Sequence, residues 1–510
     1  MNKIIVLDYG SQYNQLIARR VRELGVYSEI MPFDSDLSEI EKDLSIKGII
    51  LSGGPNSVYE EDAPSVDPHI FNLGIPILGI CYGMQLTQKA FGGVITSTAK
   101  REYGKSELII EKEDLFTKDV PRSSTVWMSH GDHVEELADS FELLGRTDSA
   151  FAIAKHRKRA IYTVQFHPEV THSDYGKQMI KNFVFNICEA QAEWSLENYI
   201  EDMILSIQKT VNDDDVILAL SGGVDSSVAA MLIHQAIGKN LTCVFVDTGL
   251  LRKDEGNQVM ALYKEHFNIN VVRIDAKDQF LDALASVTDP ERKRKIIGNT
   301  FIQIFESFKK AHKNAKFLAQ GTIYPDVIES QSVAGPSQTI KSHHNVGGLP
   351  EKLDFTLLEP LRALFKDEVR KVGLKLGIPK HMIMRHPFPG PGLGIRILGE
   401  ITEEKVNILK EADAIFIDEL HKHNFYDQVS QSFVVLLPVK SVGVMGDKRT
   451  YEYVCALRSA DTLDFMTATF SELPYTFLGN VSSRIINEVS GINRVVYDIT
   501  SKPPGTIEWE

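Results

Sequence analysis

VILALSGGVDSSVAAMLIHQAI, residues 216–237, decides how the middle of the chain folds. Residues 216–220 are apolar without alternation, the pattern of a strand covered on both faces. Gly222 and Gly223 then turn the chain, and helical spacing of apolar residues takes over from Ser226. Strand, glycine turn and helix make the repeating unit of a parallel α/β sheet. The unit recurs downstream at LTCVFVD (241–247), NVVRIDA (270–276) and FLAQGT (317–322). An earlier series carries it at IIVLDYG (4–10), GIILSGG (48–54) and IPILGICYG (75–83). QAEWSLENYIEDMILSIQK (191–209) starts polar and runs helical, which sets the join between the series near 190–195. HMIMRHPFPGPGLG (381–394) is too rich in Pro and Gly for regular structure and opens a third unit. There VVLLPVKSVGVM (434–445) and TYEYVCALRS (450–459) read as antiparallel strands. The expected fold class is α/β: two successive parallel-sheet α/β domains, 1–193 and 194–385, plus a C-terminal α+β domain, 386–510.

Composition narrows the function classes. The 510 residues exceed what one core accommodates, and 43% hydrophobic with 24% charged residues is ordinary for a globular protein. A net charge of −14 opposes broad binding to nucleic acid or anionic membrane, which both need a positive field. Cys81, Cys188, Cys243 and Cys455 are scattered and form no CxxC pair, so neither a zinc site nor a disulfide framework is expected. The opening MNKIIVLDYG is too short an apolar run for a signal peptide, and no stretch reaches the roughly 18 apolar residues of a membrane span. The expected location is cytoplasmic.

Two segments carry chemistry. In GICYG, Cys81 follows an apolar strand, with glycines two residues before and two after it. Small neighbours allow a sharp strand-to-helix turn that presents a nucleophile, and the helix N-terminus favours a thiolate. A lone cysteine in such a sheet is usually structural, so its partners decide. QFHPEV (165–170) supplies His167 as base and Glu169 as its orienter. SGGP (52–55) exposes backbone N–H groups suited to an oxyanion. In SGGVDSS, the hydroxyls of Ser221, Ser226 and Ser227, the flexible Gly222 and Gly223, and the helix-start amides from Val224 can surround phosphate oxygens. The bland alternative is a helix cap. No Lys follows the glycines, so this is not the GxxxxGK[ST] loop.

The first set, in this order, resembles the class I glutamine amidotransferases over about residues 4–190. The resemblance implies attack of Cys81 on the glutamine amide, with a glutamyl thioester and free ammonia as products. It implies an oxyanion hole from the N–H groups of Gly54 and Tyr82, and glutamine contacts at Gln85, Ser129 and His130. SGGVDSS resembles the pyrophosphatase loop of the N-type ATP pyrophosphatases, which cleave ATP between the α and β phosphates. That implies Mg²⁺ with ATP as cosubstrate, Asp225 as a metal contact, and Val246 and Gly321 close to the nucleotide. Asp247 is a nucleotide candidate or a simple turn cap.

A glutaminase joined to an ATP pyrophosphatase points to amidotransfer with AMP release. XMP, deamido-NAD and aspartate are possible acceptors; a tRNA-modifying enzyme and a non-catalytic sensor are more distant alternatives. PERKRKIIGNTF (290–301) places four basic residues before a helical pattern, which reads as a solvated face or a phosphate site. KSHHNVGGLP (341–350) suits a lid. RHPFPGPGLG, GDKRTYEYVCALR, DFMTA and the terminal KPPGTIEWE resemble the GMP synthetase family specifically, with Met445 standing where a polar Gln is expected. This implies XMP contacts at Arg294, Asp447, Lys502 and Glu508, the small-molecule substrates XMP, ATP and glutamine, and a homodimer through the C-terminal domain. The terminal segment is expected to fold back onto the acceptor site: Pro503 and Pro504 stiffen it, and Ile507 and Trp509 are large apolar residues that a free end has no use for.

Overall fold

The computed structural model describes residues 1–312, 315–331, 356–445, 448–462 and 467–510. Two compact units divide the chain, with the boundary between Tyr199 and Ile200, inside the helix Leu196–Val211. The segment 341–350 and Asp447 lie outside the described residues, as do most of DFMTA and the side chain of Met445.

The first unit is built on a nine-stranded sheet. Its strands are Lys3–Asp8 (β1), Tyr27–Pro32 (β2), Ile46–Leu51 (β3), Ile77–Ile80 (β4), Val94–Ile110 (β5), Ser123–Glu136 (β6), Phe141–Arg146 (β7), Phe151–His156 (β8) and Ile161–Val164 (β9). They lie in the order β2-β1-β3-β4-β9-β8-β7-β5-β6. Pairing is parallel from β2 to β9 and antiparallel from β9 onward. Every residue of β4 and β9 is buried, as unalternating apolar runs require. The helix Tyr82–Ala90 (α1) leaves the carboxyl end of β4 directly.

In the second unit a five-stranded parallel sheet comprises Asp215–Leu220 (β10), Leu241–Asp247 (β11), Asn270–Asp275 (β12), Ala315–Ala319 (β13) and Thr356–Leu358 (β14). Its order, β12-β11-β10-β13-β14, reverses direction between β10 and β13. Ligands of open α/β sheets bind beyond the carboxyl ends at such a reversal. The helix Val224–Ile237 (α2) starts there, followed by Pro290–Ala311 (α3) and Lys366–Lys375 (α4). Helix α4 packs close to α2: a Cβ on Gly373 would lie 2.9 Å from a Val228 methyl.

A second sheet in this unit pairs Gln431–Met445 (β15) antiparallel with Lys448–Asp461 (β16). Thr469–Phe470 (β17) joins β16 antiparallel, and Ile492–Asp498 (β18) joins it parallel. The helix Glu403–Lys422 (α5) opens on Thr402, whose side chain accepts from the Lys405 N–H, and buries Val406, Leu409, Ala412, Phe416 and Leu420 at helical spacing. One hydrophobic core runs from Ile217 and Val244 through Leu409 and Phe416 to Val434 and Leu457, so both sheets of this unit share it.

Two local expectations need correction. The stretch 381–394 is not wholly irregular: the one-turn helix Lys380–Ile383 and the 3₁₀ turn Gly392–Ile395 overlap its ends. The basic run 292–295 does not precede a helix but lies inside α3, which begins at Pro290. Helical rotation therefore divides the run, leaving Lys295 72% exposed and Lys293 fully buried.

Candidate active site

Cys81 occupies the turn between β4 and α1 with φ 52° and ψ −102°, a conformation rarely adopted by a residue with a Cβ. Space makes the neighbouring glycines necessary. A Cβ on Gly79 would sit 2.6 Å from the Gly83 carbonyl, and one on Gly83 would sit 2.4 Å from the Leu51 carbonyl. His167 and Glu169 follow β9; the His167 Nδ1 and a Glu169 carboxylate oxygen are 2.7 Å apart, both side chains buried. Burial alone pushes this imidazole down, but the charge of Glu169 and hydrogen bonds with Cys81 and Glu169 outweigh it and raise it to about 10. The imidazole so raised lies beside the Cys81 thiol.

The loop after β3 closes over this pair. A Cβ on Gly53 would lie 3.2 Å from the His167 ring, and one on Gly54 would lie 2.8 Å from the Tyr9 carbonyl and 3.1 Å from the Tyr82 ring. Tyr82 is the first residue of α1, so its N–H has no helical acceptor. Ser129 and His130 lie on β6, and the Ser129 carbonyl is 3.8 Å from the Cys81 sulfur. Gln85 is buried and donates to the Asp132 carbonyl at 2.8 Å, which ties α1 to β6. Gln165, missed in the sequence reading, places its side-chain nitrogen 3.8 Å from the Cys81 sulfur. Its position two residues before His167 was the available signal. The other three cysteines are buried, and burial pushes their thiols up.

At the carboxyl end of β10, residues 221–227 form a loop braced by its own hydroxyls. Ser221 and Ser226 hydroxyls are 3.0 Å apart, and Ser227 donates to the Gly223 carbonyl at 2.6 Å. Gly222 has φ +74°, which explains a glycine there. Gly321, after β13, packs on the start of α2: a Cβ would come within 2.8 Å of the Ser226 nitrogen. Asp225 faces outward from α2 and is held at both oxygens, 2.7 and 2.6 Å, by the Lys366 ammonium. Arg385 donates to the Gly222 carbonyl at 2.9 Å and pairs with Glu255. Sequence reasoning overlooked Lys366 and Arg385, which reach the loop from 141 and 163 residues away. Val246 is buried at the end of β11. Asp247 accepts from the Gly249 N–H and pairs with Arg273, the turn-cap alternative.

The residues expected at the acceptor gather around the chain terminus. Arg294 donates to the backbone carbonyl of Glu510. Glu508 is bound by Arg396 and Gln431, and the Lys502 backbone pairs with Ala468. Ile507 is buried against Phe433 and Val435. Among the described residues there is no cluster of three or more His, Cys, Asp or Glu arranged for a metal ion, and no helix is long and apolar enough to cross a membrane.

Comparison with known proteins extends along the chain. Residues 5–187 match the family described as glutamine amidotransferase class-I, residues 196–309 the NAD synthase family, and residues 418–509 the GMP synthase C terminal domain. A glutamine-hydrolyzing GMP synthase of Fusobacterium nucleatum is 63% identical over 508 residues, covering 99% of each chain. One from Spiroplasma kunkelii is 58% identical, over 100% of this chain and 99% of its own. Another, from Mesoplasma florum, is 57% identical over 509 residues, again 100% of this chain and 99% of its own. With full-length relatives at this identity, the chain belongs to the glutamine-hydrolyzing GMP synthase family.

Proposed function

We propose that the chain makes GMP from XMP in two chemically separate stages, glutamine hydrolysis in the first unit and ATP-driven amination in the second. The observation that carries this is the pairing, in one chain, of a strained Cys81 backed by His167 and Glu169 with a serine-glycine loop at a sheet reversal. In the first stage the Cys81 sulfur attacks the side-chain amide carbon of glutamine. The oxyanion is received by the N–H groups of Gly54 and Tyr82, and His167 protonates the departing ammonia. Gln85, Ser129 and His130 line the glutamine. Water then cleaves the thioester to glutamate, with His167 taking its proton.

In the second stage the C2 oxygen of XMP attacks the α-phosphorus of ATP, and pyrophosphate leaves into the loop 221–227. Residues Ser221 to Ser227 hold its oxygens, while Lys366 and Arg385 supply positive charge; Val246 and Gly321 border the nucleotide. Ammonia then adds at C2 and AMP departs with the oxygen. This step needs positioning and charge neutralisation rather than a protein nucleophile. The residue chemistry fits Mg²⁺: Asp225, paired with Lys366 at both oxygens, would exchange that partner for the ion and supply one hard carboxylate beside the loop, and Mg²⁺ is usually bound through one or two carboxylates plus substrate phosphates. Bound there, the ion would neutralise charge on the leaving pyrophosphate. Arg294, Lys502 and Glu508 hold XMP together with Asp447.

This reading makes three functional parts, 1–193, 194–385 and 386–510, in a cytoplasmic enzyme acting on XMP, ATP and glutamine. A homodimer through the C-terminal sheet is supported by its exposed Val442, Val444 and Tyr451. The test is nitrogen-donor dependence. Cys81→Ala is expected to abolish GMP formation from glutamine while sparing formation from added ammonium, both followed with XMP, ATP and Mg²⁺. Equal loss with both donors would overturn the division.

A further inference from the structure

Arg396 is fully buried, yet its guanidinium is fixed on several sides. It lies over the Phe433 ring at 4.1 Å and the Phe388 ring at 5.1 Å. Its Nε and Nη2 donate to the two carboxylate oxygens of Glu508 at 3.1 and 2.8 Å. Gln431 adds a third donor to the same carboxylate at 2.8 Å. Gln431 and Phe433 are two apart on β15, hence on one face of the strand. The mount is rigid, because Leu436 of β15 donates to the Arg396 carbonyl at 2.8 Å and Leu398 donates back to Leu436.

Stability alone does not account for this arrangement. A buried ion pair is often no more stabilising than apolar residues of the same volume. The Arg396 Nη1 also has no hydrogen-bond partner among the described residues, and a buried charged donor left unmet is uncommon in a finished core. A planar fork between two rings instead fixes both the position and the rotation of one carboxylate. We propose that Arg396, with Gln431, is a positioning residue for the acceptor. It acts through Glu508, presenting that carboxylate to XMP in one orientation. This rests on the assignment of Glu508 to XMP binding.

The experiment measures steady-state kinetics of the full-length enzyme with ammonium as donor, varying XMP and ATP separately, for Arg396→Lys, Gln431→Met, Glu508→Gln and the Arg396→Lys/Glu508→Gln pair. Lysine keeps the charge and loses the fork. Arg396→Lys is expected to raise the KM for XMP by about 10- to 100-fold, with kcat and the KM for ATP changing far less. Gln431→Met should move the same constant in the same direction, and the double variant should be no worse than Glu508→Gln alone. If Glu508→Gln raises the KM for XMP but Arg396→Lys and Gln431→Met do not, the positioning role is wrong. If Glu508→Gln itself leaves it unchanged, the assignment of Glu508 fails instead. A fall in melting temperature with unchanged KM for XMP would reduce Arg396 to a structural residue. Should Arg396→Lys fail to fold, Gln431→Met decides, because it leaves the buried charge paired.

Discussion

Cys81 and His167 show how much one residue's surroundings change its chemistry. The imidazole is raised to about 10 although burial opposes it; the charge of Glu169 is the largest influence upward, followed by hydrogen bonds with Cys81 and Glu169. Glu169→Gln removes that charge, so the variant's imidazole should titrate lower than the parent's. The positive charge beside Cys81 is weakened accordingly. Alkylation of Cys81 by iodoacetamide at pH 7–9 should therefore slow, because a cation beside a thiol favours the reactive thiolate. The other cysteines should react more slowly, because burial pushes all three of their thiols up. An unchanged alkylation profile would remove Glu169 from its role. The grouping of Cys81, His167 and Glu169 was legible because local spacing carries it: GICYG and HPE are short, and their neighbours are constrained by space. Gln165 was passed over because a glutamine beside a motif has no distinctive pattern of its own; only the fold of β9 against β4 brings it to the sulfur.

At the level of elements, the parallel strands announced themselves as apolar runs ending in glycine, and β10 with α2 marked both the sheet and the serine-glycine loop at its carboxyl end. The charge around that loop was not legible. Lys366 comes from α4 and Arg385 from beyond it, and nothing in their local sequence marks them as neighbours of Asp225. The basic run 292–295 misled for a related reason: a string of like charges looks uniformly solvated until helical rotation turns Lys293 inward. Gly321 is where two elements depend on each other most directly. A Cβ there would press on the Asp225 carbonyl carbon at 2.9 Å and the Ser226 nitrogen at 2.8 Å, both backbone atoms that cannot rotate away. Gly321→Ala should therefore displace the start of α2, cost about 1–3 kcal/mol of stability, and raise the KM for ATP. Glutamine hydrolysis, seated in the other unit, should proceed as before. A variant with the parent's KM for ATP would show that the loop does not depend on this close approach.

Across the whole molecule, the two proposed sites lie in different compact units, and the end of the chain belongs to the second. Buried cations surround that end. Lys293 pairs with Glu510, Arg396 with Glu508, and Arg458 donates to the carbonyls of Thr500 and Thr506. The anchoring of Ile507 could be anticipated from its apolar side chain, but the cations could not, since they lie in sequence about 40 to more than 200 residues before the groups they bind. Removing residues 502–510 deletes both carboxylates, leaving Lys293 and Arg396 buried without their counterions. Each broken buried pair costs about 3–5 kcal/mol, against a total of roughly 5–15 kcal/mol for an ordinary domain. The truncation is therefore expected to unfold the second unit, abolishing synthesis with either nitrogen donor while glutaminase remains measurable. Because that loss would not separate binding from folding, Lys502→Ala is the sharper probe. Its backbone pairing with Ala468, 2.8 and 3.0 Å, does not involve the side chain and should survive. If the ammonium group meets the XMP phosphate, a charge-assisted contact of about 1.5–3 kcal/mol is lost. The KM for XMP should then rise about 10- to 100-fold, with the KM for ATP little changed. A Lys502→Ala enzyme with the parent's XMP dependence would take Lys502 out of the acceptor site and leave it a purely structural part of the terminal segment.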